Sequence, residues 1–259
     1  MENKNILLLR HNPMNVFYTN SFYTNQTKNN LNDYLIIDVT SRIERNKDFM
    51  KEHPTFAKDL SPFFVGPVTS SDGVTANIFE IFWQCGKVYP PHDNNGTPNA
   101  EYFKWRNYYY SQTTCTKDLM RHTCHSLGYE NKDALYFAYF DKNKGKYLSL
   151  DYVSARKKVY IPEYAKLIVN TPSFQWLKSL VDSGEKFALV DFDACNYNEE
   201  CAMKKQYVAY VNKCQKNKVE PKYTEEDFLK IHSLKDLVNA PFMAVGHGCV
   251  IKMLLQGDL

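Results

Sequence analysis

The chain has 259 residues, a formal charge of +3, 44% hydrophobic and 24% charged residues. That is an ordinary globular balance with room for a sizeable core, and it lacks the strong basic excess of a dedicated nucleic-acid binder. Seven scattered cysteines do not form the even, regularly spaced set of a disulfide framework, and no apolar run approaches the roughly 20 residues needed to span a membrane.

In chain order, Asn5–Leu9 reads as a short strand and Thr19–Asp33, rich in Asn and Thr, as a loop. Tyr34–Val39 is an apolar, β-branched strand. Arg42–Lys58 suits a charged helix, and Leu60–Gly73 a loop punctuated by Pro62, Gly66, Pro67 and the turn pair Asp72-Gly73. Asn77–Val88 is expected to be helical, with Asn77 as cap, Glu80 in a variant capping box, and Pro90-Pro91 as the stop. After a loop over His92–Gly96, Thr97-Pro98 supplies a cap and a first-turn proline for a helix running to Tyr110. A further helix is expected over Leu119–Leu127, a strand over Leu135–Phe140 and a polar turn over Asp141–Lys146. Asp151–Tyr160 reads as helix, with Pro162 kinking it or parting it from Tyr164–Val169. Thr171-Pro172 opens a helix that Gly184 closes, and Phe187–Val190 has the pattern of a buried strand. Helices over Glu199–Gln215, Glu225–Ile231 behind a Thr224 cap, and Cys249–Gln256 complete the chain.

Helices outweigh strands and do not alternate regularly with them, so the expected class is α+β. No repeat or linker divides the sequence, which predicts a single domain over 1–259, with 91–146 as an insertion or a lid. Asn15 and Asn20 interrupt the start before a secretory apolar stretch forms. The expected location is therefore the cytoplasm, with reduced cysteines.

Several side-chain clusters are candidates for chemistry. Glu80, Trp83, Gln84 and Lys87 fall at i, i+3, i+4 and i+7, one face of a helix carrying a carboxylate, an indole, an amide and an ammonium. The bland alternative is a solvated charged face. Asp151 stands at a helix start, where a cap is the ordinary role, and Arg156 is followed by Lys157 and Lys158. The planar guanidinium of Arg156 suits a phosphate, and an exposed basic turn is the alternative. Asp191 and Asp193 follow a strand, a position shared by active-site carboxylates and simple turns. Cys115, His122, Cys124 and His125 are zinc-ligand types, but at no standard zinc spacing. Gly246-His247-Gly248 precedes the last helix, where an anion could approach or the chain could simply turn. The phosphate loop, the dinucleotide-binding glycine pattern and the hydrolase serine elbow are all absent from the sequence. These absences remove the commonest NTPase, dehydrogenase and hydrolase readings, and neither a metal nor a cofactor is expected.

The segment Leu60-Ser61-Pro62-Phe63-Phe64, Pro67, Asp72-Gly73 and Phe79-Glu80-x-x-Trp83-Gln84-x-x-Lys87 resembles the opening signature of the NADAR superfamily. That signature reads as a "LSNF-x-P-x-P" loop, a "DG" turn and a "VEH-x-YQ-x-x-K" helix. Pro62 replaces the usual Asn, Trp83 the usual Tyr, and Ile81 the usual His. Asp38-Val39-Thr40-Ser41 and the stretch from Asp151 to Tyr164 resemble a related bacterial and phage domain family of unknown function, which also shows a "VE-x-x-WQ-x-x-KV" helix. The resemblance covers most of 35–88 and 148–193 and extends weakly to the last helix.

It implies a NADAR-like α+β domain that hydrolyses the N-glycosidic bond of a nucleotide-like or ADP-ribosyl substrate. Riboflavin-pathway intermediates and ADP-ribosylated guanine are the family's substrate types. By the same resemblance Glu80 stabilises an oxocarbenium-like transition state, with Asp151 as second carboxylate. Trp83 stacks on a ring, Gln84 orients ribose or water, Lys87 and Arg156 meet phosphate or another polar group, and Phe63 and Asp191 contribute to substrate binding. The alternatives are a non-catalytic nucleotide or ADP-ribose binding module, and a phage or viral protein acting on modified DNA bases. The Asn-, Lys- and Tyr-rich composition suits an AT-rich genome of that last kind.

Overall fold

The strand Phe187–Val190 is buried at every position, as a strand flanked on both sides in a parallel sheet must be. It pairs in parallel with Val16–Thr19 on one edge and Leu35–Asp38 on the other. The computed structural model describes residues 16–19, 34–39, 51–116, 119, 124–130, 133–191, 194, 200–216 and 218–259. The strand expected at 5–9, nearly all of the 19–33 loop, most of the 42–58 helix and the middle of the 119–127 helix lie outside these residues. The chain is α+β. Its contacts divide into two compact units, Met50–Ser173 and Met1–Phe49 with Phe174–Leu259.

In the second of these units the C-terminal helix His247–Gln256 packs against the three-stranded sheet, and Gly257, at φ 74°, ends it in the left-handed region. The helix Glu200–Lys216 packs against Glu225–Leu229. Tyr207 and Phe228 meet there with ring centroids 5.6 Å apart. The expected Thr224 cap is present as a full capping box with Asp227. A helix over Leu234–Asn239, capped by Ser233, was not foreseen.

Met50–Ser173 is built around the short helix Phe79–Cys85. The Asp72-Gly73 turn closes a hairpin of Val68–Thr69 with Thr75–Ala76, and Gly73 takes φ 90°. Lys87–Val88 is a strand rather than the end of the preceding helix, and it pairs with Phe137 and Tyr136. Tyr136–Asp141 then forms a hairpin with Lys146–Leu150; this second strand was not expected. Thr97-Pro98 pairs with Asp93–Asn94 instead of opening a helix, and Asn99 is the cap of Ala100–Tyr110, accepting from the Tyr102 N–H at 3.0 Å. The α-helix is interrupted just before Pro162. Tyr152–Ala155 passes through a π-helical turn, Arg156–Tyr160, into Ile161–Ile168, where Pro162 sits in the first turn and needs no helical partner. Phe79, Tyr160 and Tyr164 form the aromatic centre, with Phe79 5.2 and 5.3 Å from the two tyrosine rings.

Lys252, on the buried face of the C-terminal helix, has its ammonium pushed down to about 8 by desolvation, against the pull of Cys249 and Asp258. The unfolded chain keeps that proton up to the ordinary lysine range, so folding gains stability as pH rises through the window between the two values. Lys252→Met is expected to raise stability by roughly 2 kcal/mol near pH 7. Urea denaturation should show this advantage narrowing above pH 8.

Candidate functional site

The loop after Leu60 and the helix carrying Glu80 are one structural device. The first N–H groups of a helix have no partner within it, and here Phe79 N–H donates to the Val65 carbonyl at 2.8 Å and Glu80 N–H to the Pro62 carbonyl at 2.9 Å. The expected Asn77 capping box is not formed. Ile78 is the cap residue, and the Asn77 amide instead donates to the Ser111 carbonyl at 3.1 Å. Gly66 is required by close approach, because a Cβ there would stand 2.2 Å from the Asn77 carbonyl oxygen. Beyond the loop, the Tyr164 hydroxyl donates to the Leu60 carbonyl.

With its start fixed, the helix brings three of the expected residues together. Gln84 Nε2 donates to Glu80 Oε1 at 2.8 Å, and Lys87 Nζ donates to Gln84 Oε1 at 2.5 Å. All three are half-buried. Lys87 reaches this chain from the strand after the helix rather than from the helix itself. Desolvation pushes its ammonium down to about 8, opposed by the Glu80 carboxylate and by Cys124 and Cys85. Burial and the neighbouring Glu80 charge push the Cys115 thiol up to about 12, so Cys115 is protonated at neutral pH.

The other expected site residues sit elsewhere. Trp83 is 7% exposed and belongs to the core: it stacks on Phe137 at 5.0 Å, meets Tyr160 edge-on at 4.9 Å, and has the Lys87 ammonium 5.8 Å from its ring. Its rings are engaged by the protein, in place of the ligand stacking expected of it. Arg156 is 1% exposed in the π-helical turn, its guanidinium 4.4 Å from the Tyr152 ring, so it is not on an exposed basic turn. Asp151 is a helix cap, accepting from the backbone N–H and the hydroxyl of Ser154, both at 2.8 Å. Phe63 is half-buried in the loop, while its neighbour Phe64 is 54% exposed.

Asp191 belongs to the other unit. It is buried at the end of the central strand and accepts the Gly248 N–H at 2.9 Å, with His247 Nδ1 3.6 Å away. His247 Nε2 bonds the Val39 carbonyl. The helix start that could have taken an external anion is occupied by the protein's own carboxylate. Asp193 and His122 lie outside the described residues, and among those described no group of three or more His, Cys, Asp or Glu is placed to hold a metal. No described helix is long and apolar enough to cross a membrane.

A cavity of about 640 Å³ opens beside the Asp72-Gly73 turn; Glu80, Trp83, Gln84, Lys87, Asp151 and Arg156 do not line it, whereas Asp72 and Lys158, from the basic run after Arg156, do. At its buried end Arg106 Nη1 donates to Asp72 Oδ2 at 2.7 Å, and Tyr147 donates to the same oxygen at 2.5 Å. Ser70 donates to Oδ1. Burial raises the Asp72 pKa, but the hydrogen bonds from Ser70, Tyr147 and Arg106, with the Arg106 charge, outweigh it and hold the carboxyl below its usual range. Burial and the Asp72 bond push Tyr147 up to about 12, so it remains a donor. The Arg106 guanidinium lies 5.7 and 5.2 Å from the rings of Tyr102 and Tyr110. Tyr102, Arg106 and Tyr110 recur every four residues on one helix, so their common face was visible as a spacing. No family model, curated protein or solved structure matches the chain.

Asp72→Asn is expected to cost about 3 kcal/mol at neutral pH, because it leaves the buried Arg106 charge uncompensated. The native carboxylate's contribution is complete above its unfolded pKa and lost as pH falls through the lower folded value. Denaturation curves of the two proteins should therefore converge in acid.

Proposed function

We propose that the protein is an N-glycosidase that hydrolyses the N-glycosidic bond of a nucleotide-like or ADP-ribosyl substrate, with Glu80 as the reacting carboxylate. The observation that carries this reading is the hydrogen-bonded series Glu80–Gln84–Lys87 on one half-buried face. Gln84 holds Oε1, and Oε2 has no hydrogen-bond partner among the described residues. A carboxylate held by one oxygen can use the other to take a proton from water while its charge favours an oxocarbenium-like sugar. Water then adds to the anomeric carbon, the carbon–nitrogen bond breaks, and the departing base keeps the bond electrons and gains a proton. Lys87 lies two hydrogen bonds from Glu80 and supplies positive charge for a phosphate of the substrate. Asp151, engaged as a cap, and Arg156, enclosed by the fold, take no step in this scheme.

A second reading is a nucleotide or ADP-ribose binding module without turnover. Ile81, at the position where the resembled family has His, is fully buried, and Trp83 is packed against Phe137 and Tyr160. Two of the chemically distinctive positions on this helix therefore serve packing here.

The deciding measurement is release of base and sugar, read by mass spectrometry, from ADP-ribose conjugates, riboflavin-pathway intermediates, nucleosides and modified DNA. Glu80→Gln keeps an acceptor for Gln84 and should fold normally while losing at least about a hundredfold in kcat. Equal turnover by wild type and variant would remove Glu80 from the mechanism. No turnover on any substrate, with ligand-induced thermal stabilisation intact, would establish the binding module.

The Lys87 ammonium sets a second expectation. Above pH 8 it loses its charge, so KM for a phosphorylated substrate should rise while KM for its dephosphorylated analogue stays flat. Lys87→Met should raise the first KM at neutral pH and abolish its dependence on pH around 8.

A further inference from the structure

We propose that the cavity beside Asp72, on the side of the Phe79–Cys85 helix marked by Phe82, is a second ligand site, for a small phosphate ester of a flat aromatic or heteroaromatic group. Its volume of about 640 Å³ is in the range of small-molecule sites. Phe82, Tyr102, Tyr110 and Phe137 are buried where they line it, whereas Lys142, Lys158 and Lys166 are exposed. The cavity is thus aromatic and closed at one end, cationic and open at the other.

The pairing of its charges decides which ligand it favours. Asp72 is neutralised by Arg106, with Ser70 and Tyr147 also donating to it. Glu163 holds Lys166 at 2.7 Å. Asp141 has Lys144 at 3.8 Å and accepts the Asn143 N–H at 3.0 Å. All three lining carboxylates are engaged, so a cationic ligand meets no open partner. Among the described residues neither Lys142 nor Lys158 is in an ion pair. Lys158 Nζ stands 4.2 Å from the centroid of the Tyr139 ring, which also lines the cavity.

A lysine held over an aromatic face has lost part of its rotamer freedom before an anion arrives, so less is lost on binding. Tyr139 and Tyr147 line the same cavity and are only half-buried, which leaves part of each ring for contact with a planar group. A phosphate toward the lysines and a ring among the tyrosines uses both ends. An apolar ligand would leave the cations unused, and inorganic phosphate would leave the aromatic end empty.

The test is isothermal titration calorimetry of the full chain with adenosine 5′-monophosphate, phenyl phosphate, adenosine and inorganic phosphate. We expect at least one of the two esters to bind at least about tenfold more tightly than adenosine and phosphate. Replacing both lysines (Lys142→Met with Lys158→Met) should weaken ester binding at least about tenfold and leave the melting temperature unchanged, since both side chains are exposed. Glu80→Gln should leave ester affinity as it was, which separates this site from the glycosidase reading whatever the outcome of the hydrolysis screen. No ester binding at millimolar concentration, esters bound no better than phosphate, affinity unchanged in the double variant, or affinity lost in Glu80→Gln would each overturn the proposal.

Discussion

The two backbone hydrogen bonds from Phe79 and Glu80 to the Val65 and Pro62 carbonyls are the constraint on which the Glu80 face depends. A helix of seven residues has little stability of its own, since nucleation is costly and few bonds follow it. Satisfying its first donors with carbonyls of a bent loop fixes both its start and its direction. The loop can come that close because position 66 has no side chain. At the other end, Gly86 lies against the Phe137 ring, where a Cβ would stand 2.1 Å from a ring carbon. The helix is therefore held by a close approach at each end, and each approach requires glycine.

Parts of this arrangement follow from local rules and were readable from the sequence. The Asp72-Gly73 turn, the cap at Thr224, the buried strand Phe187–Val190 and the i, i+4 relation of Glu80 to Gln84 all depend on residues close in sequence. What local rules could not supply were the partners brought from afar. Asn77 has the chemistry of a cap, but the Ser111 carbonyl, 34 residues away, takes its amide. Trp83 sits at the right helical angle for a ligand face, but Phe137 and Tyr160 cover it. Lys146–Leu150 becomes a strand because Tyr136–Asp141 is there to pair with it. Arg106 carried a detectable signal in its spacing from Tyr102 and Tyr110, but its carboxylate partner is 34 residues back, at the hairpin turn.

Three carboxylates among the described residues are answered from within. Asp191 occupies the start of the C-terminal helix, Asp72 closes on Arg106, and Asp151 caps its own helix. Asp191 and Asp151 had alternative readings as site residues, Asp72 was read only as a turn residue, and each of the three is engaged by a structural partner. Buried charge is tolerated only when paired and hydrogen-bonded. Against that background the groups proposed to meet ligands, the second oxygen of Glu80 and the ammonium groups of Lys142 and Lys158, are ones the fold leaves with spare capacity.

One aromatic layer lies between these two sets of groups. Positions 80 and 84 share a side of the short helix, while Phe82 faces the cavity. Phe137 lines the cavity and stacks on Trp83, and Trp83 in turn lies under the Lys87 ammonium. Packed rings transmit displacement because there is no free volume to absorb it. The tryptophan that sequence reasoning assigned to a ligand is therefore better understood as the wall that sets the position of Lys87 from behind. A smaller residue at 83 would loosen the support of Phe137 and Lys87 at once, disturbing the cavity and the Glu80 face through a side chain that touches neither proposed ligand.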